Sequence, residues 1–174
     1  MNLAEAAARA QELADSGDER ELANLRREWD DEVEGAARDS DYRVRAVAYR
    51  ALGQFRYRQK LELLQRGLED ESPACRGTAL LSLELLSRDS PGVINSTRRT
   101  LHELIGGDPN GAVRRLAIIS LKNGPPARET IAILRGLADS ENEDRQLRET
   151  AQKIAGVLTK KANVEANARR SGGR

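Results

Sequence analysis

The sequence predicts an all-α protein, an α-solenoid of about four helical hairpins behind an N-terminal capping helix. Two observations carry this. Composition is the first: Leu, Ala, Arg and Glu dominate, 33% of residues are charged and only 3% are aromatic. That balance favours helix over strand, and no run alternates Val, Ile or Thr with polar residues as a half-buried strand would. Self-similarity is the second. DSDYRVRAVAYRALG from Asp39, DESPACRGTALLSLE from Asp70, DPNGAVRRLAIISLK from Asp108 and NEDRQLRETAQKIAG from Asn142 align on an arginine six positions in. The arginines are Arg45, Arg76, Arg114 and Arg148, at spacings of 31, 38 and 34, and an alanine follows each by three residues. A repeat of this length is the mark of a stacked array.

In chain order, the alanine-rich stretch from Asn2 to Asp15 is the cap helix (2–15). The first repeat (about 19–54) opens with a helix whose stripe is Leu22, Leu25, Trp29, Val33 and Ala36. The second (58–87) carries Leu61, Leu64 and Leu68 with Leu63 beside them. The third (91–123) carries Val93 or Ile94, Thr97, Leu101, Leu104 and Ile105, and the fourth (126–160) Ile131, Leu134 and Leu137. Ser72-Pro73, Ser90-Pro91, Gly107-Asp108-Pro109 and Gly124-Pro125-Pro126 punctuate the boundaries. One hairpin cannot bury its apolar face alone, so neighbours stack into a continuous core. Residues 163–174, low in hydrophobicity, are expected to be a flexible basic tail.

These shared residues (an acidic loop residue, an apolar–Arg pair, and the Ala and Leu of a second helix) resemble the HEAT repeat, in its short form first named from phycobilisome lyases. The resemblance covers about residues 19–160 and implies a right-handed HEAT-like solenoid with an armadillo-like arrangement. It weakens in the last repeat, where Asn142 stands for Asp and Ala155 for Leu. An arginine used for chemistry would occur once, not at one place in every unit. Its fork of donors suits carboxylates and helix-end carbonyls. Arg45, Arg76, Arg114 and Arg148 are therefore expected to form an internal ladder with Asp39, Asp70, Asp108 and Asn142 of the same or adjacent repeats. The acids also sit where they can cap the second helices.

No catalytic, cofactor or metal constellation emerges. His102 is the only histidine and Cys75 the only cysteine. A lone imidazole is a poor metal candidate, and Cys75 holds the apolar place of Val44 and Val113, so it reads as a buried hydrophobe. Gly106-Gly107 lacks a phosphate-loop context. The cluster Glu28-Asp30-Asp31-Glu32-Glu34 lacks calcium-loop spacing and reads as a solvated face, or a docking face for a basic partner. No stretch is long and apolar enough for a membrane helix, and the N-terminus does not read as a secretory signal. A cytoplasmic, non-enzymatic protein is expected.

The formal net charge is +1, yet residues 1–40 carry 12 acids against 5 bases, a balance of −7 that leaves +8 for the remainder. The second helices of the middle repeats, from Thr78 to Leu86 and from Leu116 to Leu121, are apolar nearly all round. Such helices are either fully buried or await a partner. The resemblance implies that second helices line a concave surface. On it an apolar patch of Leu81, Leu85 and Ile119, ringed by Arg43, Arg50, Arg115 and Lys122, would take a helical or extended protein segment with acidic flanks.

Two further functions compete with protein binding. Nucleic-acid binding, as in HEAT-like DNA glycosylases, has support from residues 41–60, six bases against one acid, and from the tail, five bases against one acid from Lys160 on. Few aromatics are on hand for base stacking. A phycobilin lyase-like role, holding a tetrapyrrole and its propionates, is the third reading.

Overall fold

Helix α1 (Leu3–Ser16) begins at Asn2, whose side chain accepts from the Glu5 N–H at 3.0 Å while the Glu5 carboxylate takes the Asn2 N–H at 2.8 Å. This reciprocal box satisfies two of the donors a helix start leaves open. The helix ends at Gly17, φ +76°, where the N–H groups of Gly17 and Asp18 turn back to Ala14 and Leu13. Only glycine takes that left-handed geometry freely.

The computed structural model describes residues 1–173. Among them the helices continue as α2 (Glu19–Ala36), α3 (Tyr42–Gln54), α4 (Leu61–Leu68), α5 (Pro73–Asp89), α6 (Val93–Gly107), α7 (Gly111–Ser120), a 3-10 turn (Leu121–Asn123), α8 (Arg128–Asp139) and α9 (Arg145–Ser171). The expected all-α class holds. No helix among the described residues is long and apolar enough to cross a membrane. The chain forms two compact units, Met1–Val93 and Ile94–Arg174.

In the first unit the second helices pile up in chain order, α1 against α3 and α3 against α5, with α2 and α4 on the hairpins' other side. The apolar stripes make the core: Leu22, Val33, Ala48, Leu52, Leu64, Leu68, Leu80 and Leu83 are all buried. In α4, Leu63 is buried and Leu61 only half-buried, the reverse of the expected stripe. Helices α3 and α5 come closest at Gly53 and Ser82. A Cβ on Gly53 would lie 2.6 Å from the Ser82 Cα. The Ser82 hydroxyl accepts from the Gly53 N–H at 2.9 Å and donates to the Tyr49 carbonyl at 2.5 Å. Tyr49 in turn donates to the Ala37 carbonyl at 3.1 Å.

In the second unit α8 and α7 both pack on α9. Helix α7 tightens into the 3-10 turn and stops because Gly124-Pro125-Pro126 follows, and proline cannot continue a helix. Arg98 on α6 donates to the Thr130 hydroxyl at 2.9 Å and to the Pro125 carbonyl at 3.1 Å, tying α6 to the start of α8. Helix α9 runs on to Ser171, through the segment expected as a flexible tail. Its Ala, Glu and Arg content supports helix, and Arg169 and Arg170 in the last turn complement the helix dipole.

Candidate interaction surface

The recurring arginines fasten turns. Each donates to carbonyls just ahead of its own helix: Arg45 to Asp39 and Ser40 at 2.9 Å each, Arg76 to Asp70 at 2.9 Å and Glu71 at 3.1 Å, Arg114 to Ile105 at 2.7 Å, and Arg148 to Ala138 at 3.2 Å. Arg45 and Arg114 also reach forward to the next hairpin's carboxylate. Arg45 grips Asp70 at 2.8 and 3.0 Å, and Arg114 grips Glu143 with two bonds of 2.8 Å. The Asp70 bond holds the Arg45 guanidinium above its ordinary proton affinity. Burial pushes the Asp70 carboxyl up, but the Arg45 and Ser72 bonds hold it below its ordinary range. The Arg114 bond likewise holds Glu143 low.

The acid facing Arg114 is thus Glu143, not the Asn142 that sequence alignment places there. Glutamate's extra methylene reaches from one residue further on. Asp39 offers Arg45 its carbonyl, while its carboxylate accepts from Asp41 N–H at 2.7 Å. Asp70 and Asp108 accept in the same way from Ser72 at 2.9 Å and Asn110 at 2.8 Å. The acids therefore shape the turn before the cap. Asp41, Asn110 and Asp144 cap α3, α7 and α9 themselves.

With the arginine rungs inside, the outer sides of the second helices are left. In the first unit Arg43, Val47, Arg50 and Gln54 recur at steps of three and four and share one side of α3. Val47 is 37% exposed, and Leu81 on α5 is 38% exposed. Arg43 lies over the Tyr42 ring, 5.6 Å from its centroid. Arg50 is half-buried and has no hydrogen-bond or ion-pair partner among the described residues. Burial lowers its proton affinity, Glu84 opposes this, and the nearby Arg56 and Arg88 add to it. Those neighbours are engaged: Arg88 with Glu84 at 3.1 and 2.8 Å, Arg56 with Asp15 at 3.4 Å and the Gly53 carbonyl at 2.8 Å. Leu85, expected in the patch, is buried.

In the second unit Ile119 and Lys122 line an open groove of about 640 Å³ between α7 and α9. The remaining walls are Asn123, Glu149, Thr150, Lys153, Ile154, Val157 and Lys161. Arg115 stands one turn before Ile119 on α7, half-buried. Val47, Ile154, Val157, Lys153 and Lys161 lie outside the patch expected from the sequence. The signal for Val47 is its spacing between Arg43 and Arg50. The signal on α9 is the three-residue step from Ile154 to Val157.

Cys75 is buried, its thiol donates to the Tyr42 carbonyl at 3.2 Å, and burial pushes it up from its ordinary range. His102 is half-buried, with Nε2 2.9 Å from the Thr130 hydroxyl. Trp29, expected in the core, is half-buried, and its buried indole N–H has no partner among the described residues. No group of three His, Cys, Asp or Glu residues among those described is placed to hold a metal ion.

Arginine-fastened helical hairpins define a class of helical-repeat protein. Residues 30–99 match the family model for HEAT repeats, and the resemblance read from the sequence holds over that span. HEAT repeats are commonly protein-interaction scaffolds and generally non-enzymatic. No curated protein matches the sequence.

Proposed function

We propose that this chain is a non-enzymatic scaffold or adaptor of the cytoplasm, holding a helical or extended segment of a partner protein against the outer sides of its second helices. One observation carries the proposal. Tyr42, Val44, Val47 and Leu81 are exposed large hydrophobics on the neighbouring helices α3 and α5, and Arg50 on α3 is half-buried with no partner among the described residues. Exposed apolar area beside a partly desolvated, unpaired cation is suited to an apolar side chain flanked by a carboxylate.

Nucleic acid fits this surface poorly. Phe55, Tyr49 and Tyr57 are buried and unable to stack on bases. Much of the basic stretch 41–60 is neutralised: Arg45 by Asp70, Arg56 by Asp15, and Lys60 by Asp30 and Glu34.

The test is affinity capture from the native host with wild type, Leu81→Glu and Arg50→Glu, each checked for unchanged melting temperature. Loss of the same partner from both variants supports the proposal. Identical recovery in all three samples removes it.

A further inference from the structure

We infer that the groove between α7 and α9 is a second, separate docking site, built for a short acidic amphipathic segment of a partner protein. This rests on the interaction reading above but on different residues. Its apolar lining comes from Ile119 on α7 and from Ile154 and Val157 on α9. Its charged lining is Lys122, Lys153 and Lys161 against the single acid Glu149. A volume of about 640 Å³ is within the range of sites that enclose ligand side chains, about 300–1,000 Å³.

Two of the lysines select the sign of the occupant. The Lys161 ammonium donates to the carbonyls of Lys122 and Gly124, which fixes its charge at the end of the 3-10 turn while using two of its three donors. Lys153 is exposed and has no ion-pair partner among the described residues. A basic segment meets like charge here, whereas an acidic one gains charge-assisted bonds without first displacing an internal partner. Ile119 and Val157, both half-buried, keep apolar area in water until a partner's side chains cover it. An amphipathic helix with apolar residues at three- and four-residue steps and carboxylates beside them meets both demands.

The probe is a fluorescein-labelled peptide with Leu at helical spacing and Glu elsewhere, compared with its Lys-for-Glu counterpart by anisotropy on the full chain. The acidic peptide is expected to bind, more weakly at high salt, and the basic one not to bind. Lys153→Glu, at an exposed position where folding is unaffected, is expected to weaken binding at least about tenfold, and Val157→Glu to abolish it. Failure of the acidic peptide to bind, equal binding of both peptides, or an unchanged affinity in Lys153→Glu overturns the inference. Native partners lost with Leu81→Glu but kept with Lys153→Glu overturn this groove alone and leave the interaction reading standing. Partners kept by both variants overturn both.

Discussion

Arg45 and Asp70 stand twenty-five positions apart in the chain and meet through two guanidinium–carboxylate bonds, with the two side chains only 9% and 6% exposed. The same guanidinium donates to the Asp39 and Ser40 carbonyls, so one side chain joins the turn before α3 to the turn before α5. Arg114 and Glu143 repeat the arrangement in the second unit. A cation beside an apolar helix face is thereby explained: it holds the spacing of consecutive hairpins where backbone carbonyls lack helical partners.

Asp70→Asn keeps the shape of the side chain and removes the charge that Arg45 faces. Bonds to charged groups contribute about 1.5–3 kcal/mol, so a loss of about 2 kcal/mol is expected. For a chain of this size that lowers Tm by about 4–8 °C. Asp39→Asn is the control, because its exposed side chain makes only a turn bond that asparagine also makes. Thermal denaturation followed by circular dichroism checks both, and equal melting temperatures would remove the rung from the account.

Acid should unfold the protein from these same carboxylates. Asp70, Glu143 and Glu34 all have folded-state values below their ordinary ones; for Glu143 and Glu34 bonds to Arg114 and Lys60 are the leading cause, and for Asp70 burial is the largest single influence but the Arg45 and Ser72 bonds and the Arg45 charge together outweigh it. A carboxyl lowered on folding adds stability that is present above its unfolded value, about 4, and is lost as pH falls through the folded value. The carboxylates' share of the stability against urea is therefore expected to be flat from neutral pH down to about 5, with a steep loss below about 4. An acid limb that stays the same in the Asp70→Asn, Glu143→Gln double variant contradicts this.

Gly53 and Gly136 should respond to alanine in opposite directions. A Cβ at Gly53 meets the Ser82 Cα at 2.6 Å and its Oγ at 2.8 Å, so α3 and α5 must part. Overpacking of this kind costs about 1–3 kcal/mol. Gly136, exposed in the interior of α8, has nothing within 4 Å. There alanine gains helix propensity worth up to about 1 kcal/mol. Melting temperatures that move together in the two variants rule out close approach as the reason for Gly53.

How far the sequence carries depends on the kind of signal. Arg45, Arg76, Arg114 and Arg148 are legible because a stacked array uses one chemical solution in each unit, and repetition separates structure from chemistry. Asn142 misleads because alignment counts positions, while an ion pair depends on reach, and Glu143 reaches further. Leu85 misleads because TALLSLELL has no polar side to mark which leucines face outward; how α5 packs on its neighbours decides. Ile154, Val157 and Lys153 are hard to see because α9 is polar on average, and a groove belongs to two helices, not one. The tail is easily misread because low hydrophobicity argues against a core but not against helix.

His102 offers a test within the second unit that no interaction partner complicates. Arg98 donates to the buried Thr130 hydroxyl at 2.9 Å, so that oxygen is already an acceptor and its own hydrogen is available for His102 Nε2 at 2.9 Å. Burial first, and Arg98 second, disfavour the imidazolium, while Glu129 partly offsets them. The folded ring should therefore titrate below the ordinary value of about 6.5. Since the folded value is the lower one, the unfolded chain binds the extra proton first. Stability is full above about pH 6.5 and declines as pH falls from there toward the folded value. Imidazole chemical shifts followed by NMR should show the low midpoint. Arg98→Gln should raise it and Glu129→Gln should lower it further; a ring that titrates at the ordinary value in all three proteins would place His102 in water, away from Thr130.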